Sequence, residues 1–144
     1  MSFLWSDAWL LQAIALASGR GPADLAQIIA AADAVNHAIP TADELHGGFV
    51  RLTAGGFVAE SDARFAITEL VSATTIAGIR MSGWQRGRRI ASECLHAEEW
   101  TAEANVRDPR NQVRYEGLTA ERLDQAEREY RRRTKERQSR STDN

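Results

Sequence analysis

Apolar residues in this chain follow two rhythms. Leu10, Leu11, Ile14 and Ala17, then Leu25, Ile28, Ile29 and Ala32, then Leu45, Gly48, Phe49 and Leu52 recur three and four places apart, the spacing of helices that bury one stripe. "FVAE" and "RFAI", with "SDA" between them, alternate apolar and polar positions instead, the period of paired strands. The first pattern predicts a helix from about Asp7 to Ser18 with Ser6 as its cap. Gly19 and Gly21 break it, and Pro22 suits the first turn of a second helix running to about Val35. Pro40 biases Ile39 away from helical geometry. Thr41 then opens a third helix, with Glu44 three residues on as the reciprocal partner of a capping box, and Gly55-Gly56 ends it.

Beyond the hairpin, Thr68 is read as the cap of a helical stretch from Glu69 that breaks around "MSGWQRG" and resumes to His96. From Glu98 to Gly117 periodicity is lost, and Asp108-Pro109 marks a loop. "LTAERLDQAEREYRRR" restores a helix, opened by Thr119, in which Leu123, Ala126 and Tyr130 form a narrow apolar stripe. Such a stripe is too thin to hold an isolated helix in water, so it must bury against this chain or a partner, and the expectation favoured here is the seam of a homodimer. The final "QSRSTDN" has the composition of a disordered tail.

A capped helix with Leu45, Phe49 and Leu52 inward, followed by "AGGFVAESDARFAIT", resembles the winged helix-turn-helix superfamily of bacterial transcriptional regulators. The likeness covers roughly half the chain, to about residue 72. It implies a mainly α fold with a small β-hairpin wing. The expected organisation is a winged helix-turn-helix domain over 1–72, a helical C-terminal extension over 73–137 for packing or dimerisation, and a disordered 138–144. It also implies that the third helix enters a DNA major groove and presents hydrogen-bond donors to base edges.

The charge pattern sits awkwardly with that implication. Residues 1–79 carry eight acids against three arginines, whereas 80–144 carry twelve acids against fifteen bases. If Leu45, Gly48, Phe49 and Leu52 face inward, then Asp43, His46, Gly47, Val50, Arg51 and Ala54 face out at about 100° per residue. Of these Arg51 is the strong base-reading donor and His46 a second. Arg64 is the wing's cation, set against Glu60 and Asp62. Further charge for a phosphate backbone comes from Arg86, Arg88 and Arg89 near Trp84, and from Arg131, Arg132 and Arg133. Each group has a plainer reading as a solvated helix face paired with neighbouring acids. Gly47, Val50 and Ala54 also make a small, apolar face against which another helix can approach closely.

Catalytic or metal chemistry finds little support. Cys94 and His96 are two apart on a helix and point in different directions, His37 follows Asp33 at a helix C-terminus, and "HAEE" lacks the second histidine of a zinc helix. No catalytic residue, cofactor or metal is therefore expected. The chain has 144 residues, 43% of them hydrophobic, and a single cysteine. That amount suits one ordinary domain with an extension, a reducing compartment such as the cytoplasm, and no bilayer span. Two functional readings follow: a DNA-binding regulator on double-stranded DNA, or a winged-helix module for protein–protein assembly that binds none.

Overall fold

A computed structural model of the protein describes residues 3–99 and 119–142. Among these the chain is mainly helical with one small antiparallel sheet. The elements are α1 (Trp5–Ala17), β1 (Ala23–Asp24), α2 (Leu25–Asn36), α3 (Ala42–Ala54), β2 (Val58–Ser61), β3 (Arg64–Ile67), α4 (Ala73–Met81), α5 (Trp84–Leu95) and α6 (Ala120–Thr142). The expected loop between Glu98 and Gly117 lies largely outside the described residues.

α1 is the centre of the molecule. Its sequence "WSDAWLLQAIALA" is apolar on every side, the mark of a helix enclosed by others rather than resting on one face. Accordingly, Ala8 through Ala15 are all buried, with α2, α3, α4, α5 and β3 packed around them. The stripe expected from the sequence is thus a full cylinder. Ser6 is not its cap: it is buried in the first turn, and the Asp7 carboxylate accepts the Leu4 backbone N–H at 2.8 Å instead. Trp9 satisfies its indole by donating Nε1–H to the Ala32 carbonyl of α2 at 3.0 Å.

The second helix starts later than expected. Ala23 and Asp24 pair with Phe65 and Arg64 as an extra strand, and Asp24 and Gln27 then form a capping box. Pro22 therefore precedes a strand, a pairing two residues long that leaves no alternation to read. For α3 the expectation holds: Thr41 and Glu44 exchange their capping hydrogen bonds. Gly56 is the residue in left-handed geometry after it (φ 82°), while Gly55 stays right-handed. Gly55 is small for a different reason, since a Cβ there would stand 2.8 Å from the Phe3 ring.

The hairpin forms as expected, Val58 opposite Ile67 through Ser61 opposite Arg64, and the sheet order is β1-β3-β2. Asp62 and Ala63 both have positive φ (52° and 59°), the mirror-image turn whose twist suits a two-residue connection. Phe65 carries the sheet into the core, its ring 4.3 Å from that of Phe49 on α3. The helix after the hairpin begins at Ala73 under a Ser72 cap. Thr68 is not that cap, because its hydroxyl is turned back to the Gly56 carbonyl.

α4 and α5 are separated at Ser82-Gly83, as "MSGWQRG" suggested, and α5 crosses closely over its neighbours at Gly87. A Cβ on Gly87 would lie 2.8 Å from the Ile79 carbonyl oxygen and 3.0 Å from Gln12 Nε2. α6 lies along α2 and continues helically to Thr142, through most of the stretch read as a tail. In the turns just before that stretch, an i,i+3 and i,i+4 ladder of arginines and glutamates from Glu127 to Glu136 favours the helix.

Candidate functional site

The sequence singled out the outward side of α3, and the structure largely closes it. Arg51, expected to face solvent, is fully buried. Its guanidinium grips Asp7 of α1 with both prongs, Nε to Oδ2 at 2.6 Å and Nη2 to Oδ1 at 2.9 Å, and neither side chain is more than 1% exposed. This is the planar fork-on-carboxylate geometry that arginine favours in a dry setting. Its physical cause is the approach of α1, which Gly48 permits. A Cβ at that position would sit 2.7 Å from Leu10 Cδ2 and 3.3 Å from Asp7 Oδ1.

Gly47 and Val50, placed on a close-packing face by the sequence, are indeed buried, whereas Ala54 is exposed. His46 is half-buried and has a partner of its own. What α3 leaves in solvent is Ala42, Asp43 and Ala54, with Glu44 and Thr53 half-covered. That face carries acid and no exposed arginine.

The remaining cations divide into committed and uncommitted. Arg88 donates Nη1–H to Asn36 Oδ1 at 2.9 Å and lays its guanidinium 5.0 Å from the centre of the Trp5 ring, so it covers an aromatic rather than a phosphate. Arg80 donates Nε–H to the Ala15 carbonyl at 2.7 Å. Arg131 pairs with Glu127, Arg132 with Glu129 and Glu136, and Arg133 with Glu129 and, across to the β1 end, with Asp24 at 3.3 Å. The hydrogen bonds from Arg132 and Arg133 hold the Glu129 carboxyl down at about 2, against its ordinary 4.5. The 131–133 run is therefore a neutralised ladder. Arg64 is exposed, its Nη1 no nearer than 3.5 Å to the Pro22 carbonyl. Arg86 and Arg89 are exposed, and neither has an ion pair among the described residues.

These last two flank an aromatic corner. Trp84 opens α5 and remains 54% exposed, and Met81, at the end of α4, is 84% exposed. The Trp84 ring meets the His37 ring edge-on at 4.9 Å. His37 itself is the left-handed residue that ends α2, donating its N–H to the Asp33 carbonyl.

The proposed dimer stripe finds its partner within the chain. Leu123 and Ala126 are buried in the core cluster, and Tyr130 donates its hydroxyl to Asp33 of α2. That bond to an acceptor raises the Tyr130 hydroxyl above its ordinary value. A stripe this narrow needs only one helix to cover it, and α2 does so. Between α2, the start of α3 and α6 remains a groove of about 260 Å³ floored by Ile29, Ile39, Leu45 and Leu123 and edged by Asp124 and Glu127. Sequence reasoning missed both this groove and the Asp7–Arg51 pair. A lone acid in the first turn of an otherwise apolar helix was the available signal for the pair. The groove had none, because it depends on where α6 docks.

The other chemistry-bearing residues stay apart. Burial raises the half-buried Cys94 thiol above its ordinary range, the opposite of an activated thiolate. His96 is exposed at the left-handed end of α5. Among the described residues no three histidines, cysteines or acids are grouped to hold a metal ion, and no helix is long and apolar enough to cross a membrane. Compared with known proteins, the chain matches no family model, no curated protein and no solved structure.

Proposed function

We propose that this chain is a non-enzymatic winged-helix module that serves protein–protein assembly in the cytoplasm and does not read DNA through its third helix. Support for the fold reading comes from the element order helix, strand, helix, helix, hairpin and from the strand order β1-β3-β2. One observation carries the functional reading: Arg51, the sole arginine or lysine of α3, is committed to Asp7 inside the molecule. A recognition helix needs donors at base edges and cations near phosphates. This one offers Asp43 and a buried Gly47–Val50 segment.

A second reading, the DNA-binding regulator, keeps one favourable observation. Arg86 and Arg89 stand exposed beside Trp84, so DNA would be held there and the affinity would be salt-dependent. Fluorescence anisotropy of the full chain on random duplex DNA, across a salt series, separates the two. The assembly reading expects no salt-sensitive binding even at low ionic strength. Salt-sensitive binding that Arg86→Ala/Arg89→Ala removes would replace it with the second reading. Binding lost in Arg51→Ala, in a variant shown to remain folded, would overturn the structural argument about α3.

A further inference from the structure

We infer that a second copy of this chain docks on it reciprocally, the Met81–Trp84 corner of each copy entering the α2–α3–α6 groove of the other. The inference rests on the assembly reading and gives that reading a partner.

The corner is built to project rather than to fold away. Only Ser82 and Gly83 separate its two large apolar side chains, and both ends are held firmly. The Trp84 carbonyl accepts Gln12 Nε2–H at 2.9 Å, and the close seat of Gly87 on the Ile79 carbonyl leaves no room for slippage. Isolated exposed apolar residues are ordinary on protein surfaces. Two within four positions, on a rigid corner, form an anchor of the aromatic kind that dominates interface energetics. The surrounding charge has one sign: from residue 80 to residue 89 there are four arginines and no acid.

The groove has the opposite character at its edges. Its floor is apolar, its size of about 260 Å³ suits a single large side chain such as that of Trp84 rather than an extended ligand, and Asp124 lines it beside Glu127, which already pairs with Arg131. Asp43 lies exposed one residue beyond Ala42, which also lines the groove. On one chain, the corner offers an apolar anchor ringed by arginines and the groove offers an apolar floor with Asp124 and Asp43 beside it, so the two match in polarity and in sign. They are also neighbours. Trp84 rests on His37, and Ile39, two residues further on, lines the groove. Corner and groove placed side by side allow a twofold arrangement in which both contacts form at once, each residue pair occurring twice.

Sedimentation velocity of the full chain between about 1 and 100 μM, the range in which a weak homodimer of this kind titrates, tests the inference. The wild type is expected to shift from monomer toward dimer. Trp84→Ala, which empties the corner, and Ala42→Phe, which fills the groove, should each weaken association at least tenfold while melting as cooperatively as the wild type. Mixing the two is decisive. The Ala42→Phe chain still offers its Trp84, and the Trp84→Ala chain still offers its groove, so the mixture should form more dimer than either variant alone. Arg86→Glu/Arg89→Glu provides a second route that leaves the apolar corner intact, and it should weaken association and reduce its sensitivity to salt.

A wild type that stays monomeric throughout, single variants that associate like the wild type, or a mixture no better than its components would each overturn the reciprocal dock. A monomeric chain that also binds no DNA overturns the dock and leaves the assembly reading standing. Salt-sensitive DNA binding overturns that reading itself.

Discussion

Two regions of this molecule use the same chemistry, guanidinium against carboxylate, to opposite ends. Between α1 and α3, Asp7 and Arg51 form one pair sealed from water. Along α6, Arg131, Arg132 and Arg133 share several acids in the open, with side chains between about a third and two thirds exposed. Coulomb attraction in water is weak and screened, so each exposed pair contributes at most about 1 kcal/mol. The buried pair is different in kind. Its attraction is offset by the desolvation of both ions, so its net worth over an apolar substitute is near zero, yet losing one partner leaves a bare charge in the core. Buried, the pair fixes how α1 sits on α3; exposed, the ladder only favours a helix.

The strongest way to break this comparison is Arg51→Ala. Asp7 is then buried without its counterion, and unfolding free energy should fall by about 3–5 kcal/mol, read by urea denaturation. Arg132→Ala should cost no more than about 1 kcal/mol. The double variant Asp7→Leu/Arg51→Met should recover only part of the loss: no charge remains to be solvated, but the buried Leu4 N–H loses the carboxylate it donates to. If Arg51→Ala and Arg132→Ala cost the same, the distinction between the two regions fails.

If the α6 ladder contributes little, something else must hold that helix in place. Leu123 and Ala126 are its buried residues, so Leu123→Ala should cost about 2–3 kcal/mol through lost apolar burial and the cavity left behind. Hydrogen exchange should show α6 amides losing protection while those of α1 keep theirs. Equal loss in both would mean that α6 is not the separately held element described here.

On the core side, Gly87→Ala sharpens the picture. The new methyl meets a backbone oxygen that cannot rotate away, at 2.8 Å, and overpacking of this sort costs about 1–3 kcal/mol. Gly21→Ala is the control: nothing lies within 4 Å of a Cβ there, and only its positive φ of 128° opposes substitution. A harmless Gly87→Ala in thermal melts would mean that α5 can lift off α4, and that the Trp84 corner is less firmly mounted than its contacts imply.

These contrasts also explain what could be read from the sequence. α3 was legible because its signals are local: Thr41 with Glu44 at one end, glycines at the other, and a hairpin turn within reach. The break at Ser82-Gly83 and the start of α6 at Thr119 were legible for the same reason. Arg51 was misread because helical geometry gives an angle, not a neighbour. Its angle is outward from the Leu45–Leu52 stripe, but α1 arrives on that side, guided by Gly48. The stripe of Leu123, Ala126 and Tyr130 was correctly seen to need cover. Whether the cover was α2 or another chain depended on a contact a hundred residues distant, which no periodicity encodes. β1 escaped because two residues cannot show an alternation.

The smallest effect expected concerns Glu129, and it tests the exposed side of the comparison by pH. Arg132 and Arg133 hold its folded-state value near 2, below the ordinary 4.5. A carboxyl whose value is lowered by folding stabilises the fold fully above its ordinary value and loses that contribution as pH falls through the folded one. The window is therefore from about pH 4.5 down to about 2, and nothing from this group changes above it. Other acids titrate in the same range, so the informative quantity is a difference: the melting temperature of wild type minus that of Glu129→Gln, followed downward through the window. It should shrink toward zero as Glu129 gains its proton, and high salt should make it smaller throughout by screening the ladder. A difference that stays constant with pH would show that Glu129 acts on α6 through packing rather than charge, and the α6 ladder would then not be an ion-pair system at all.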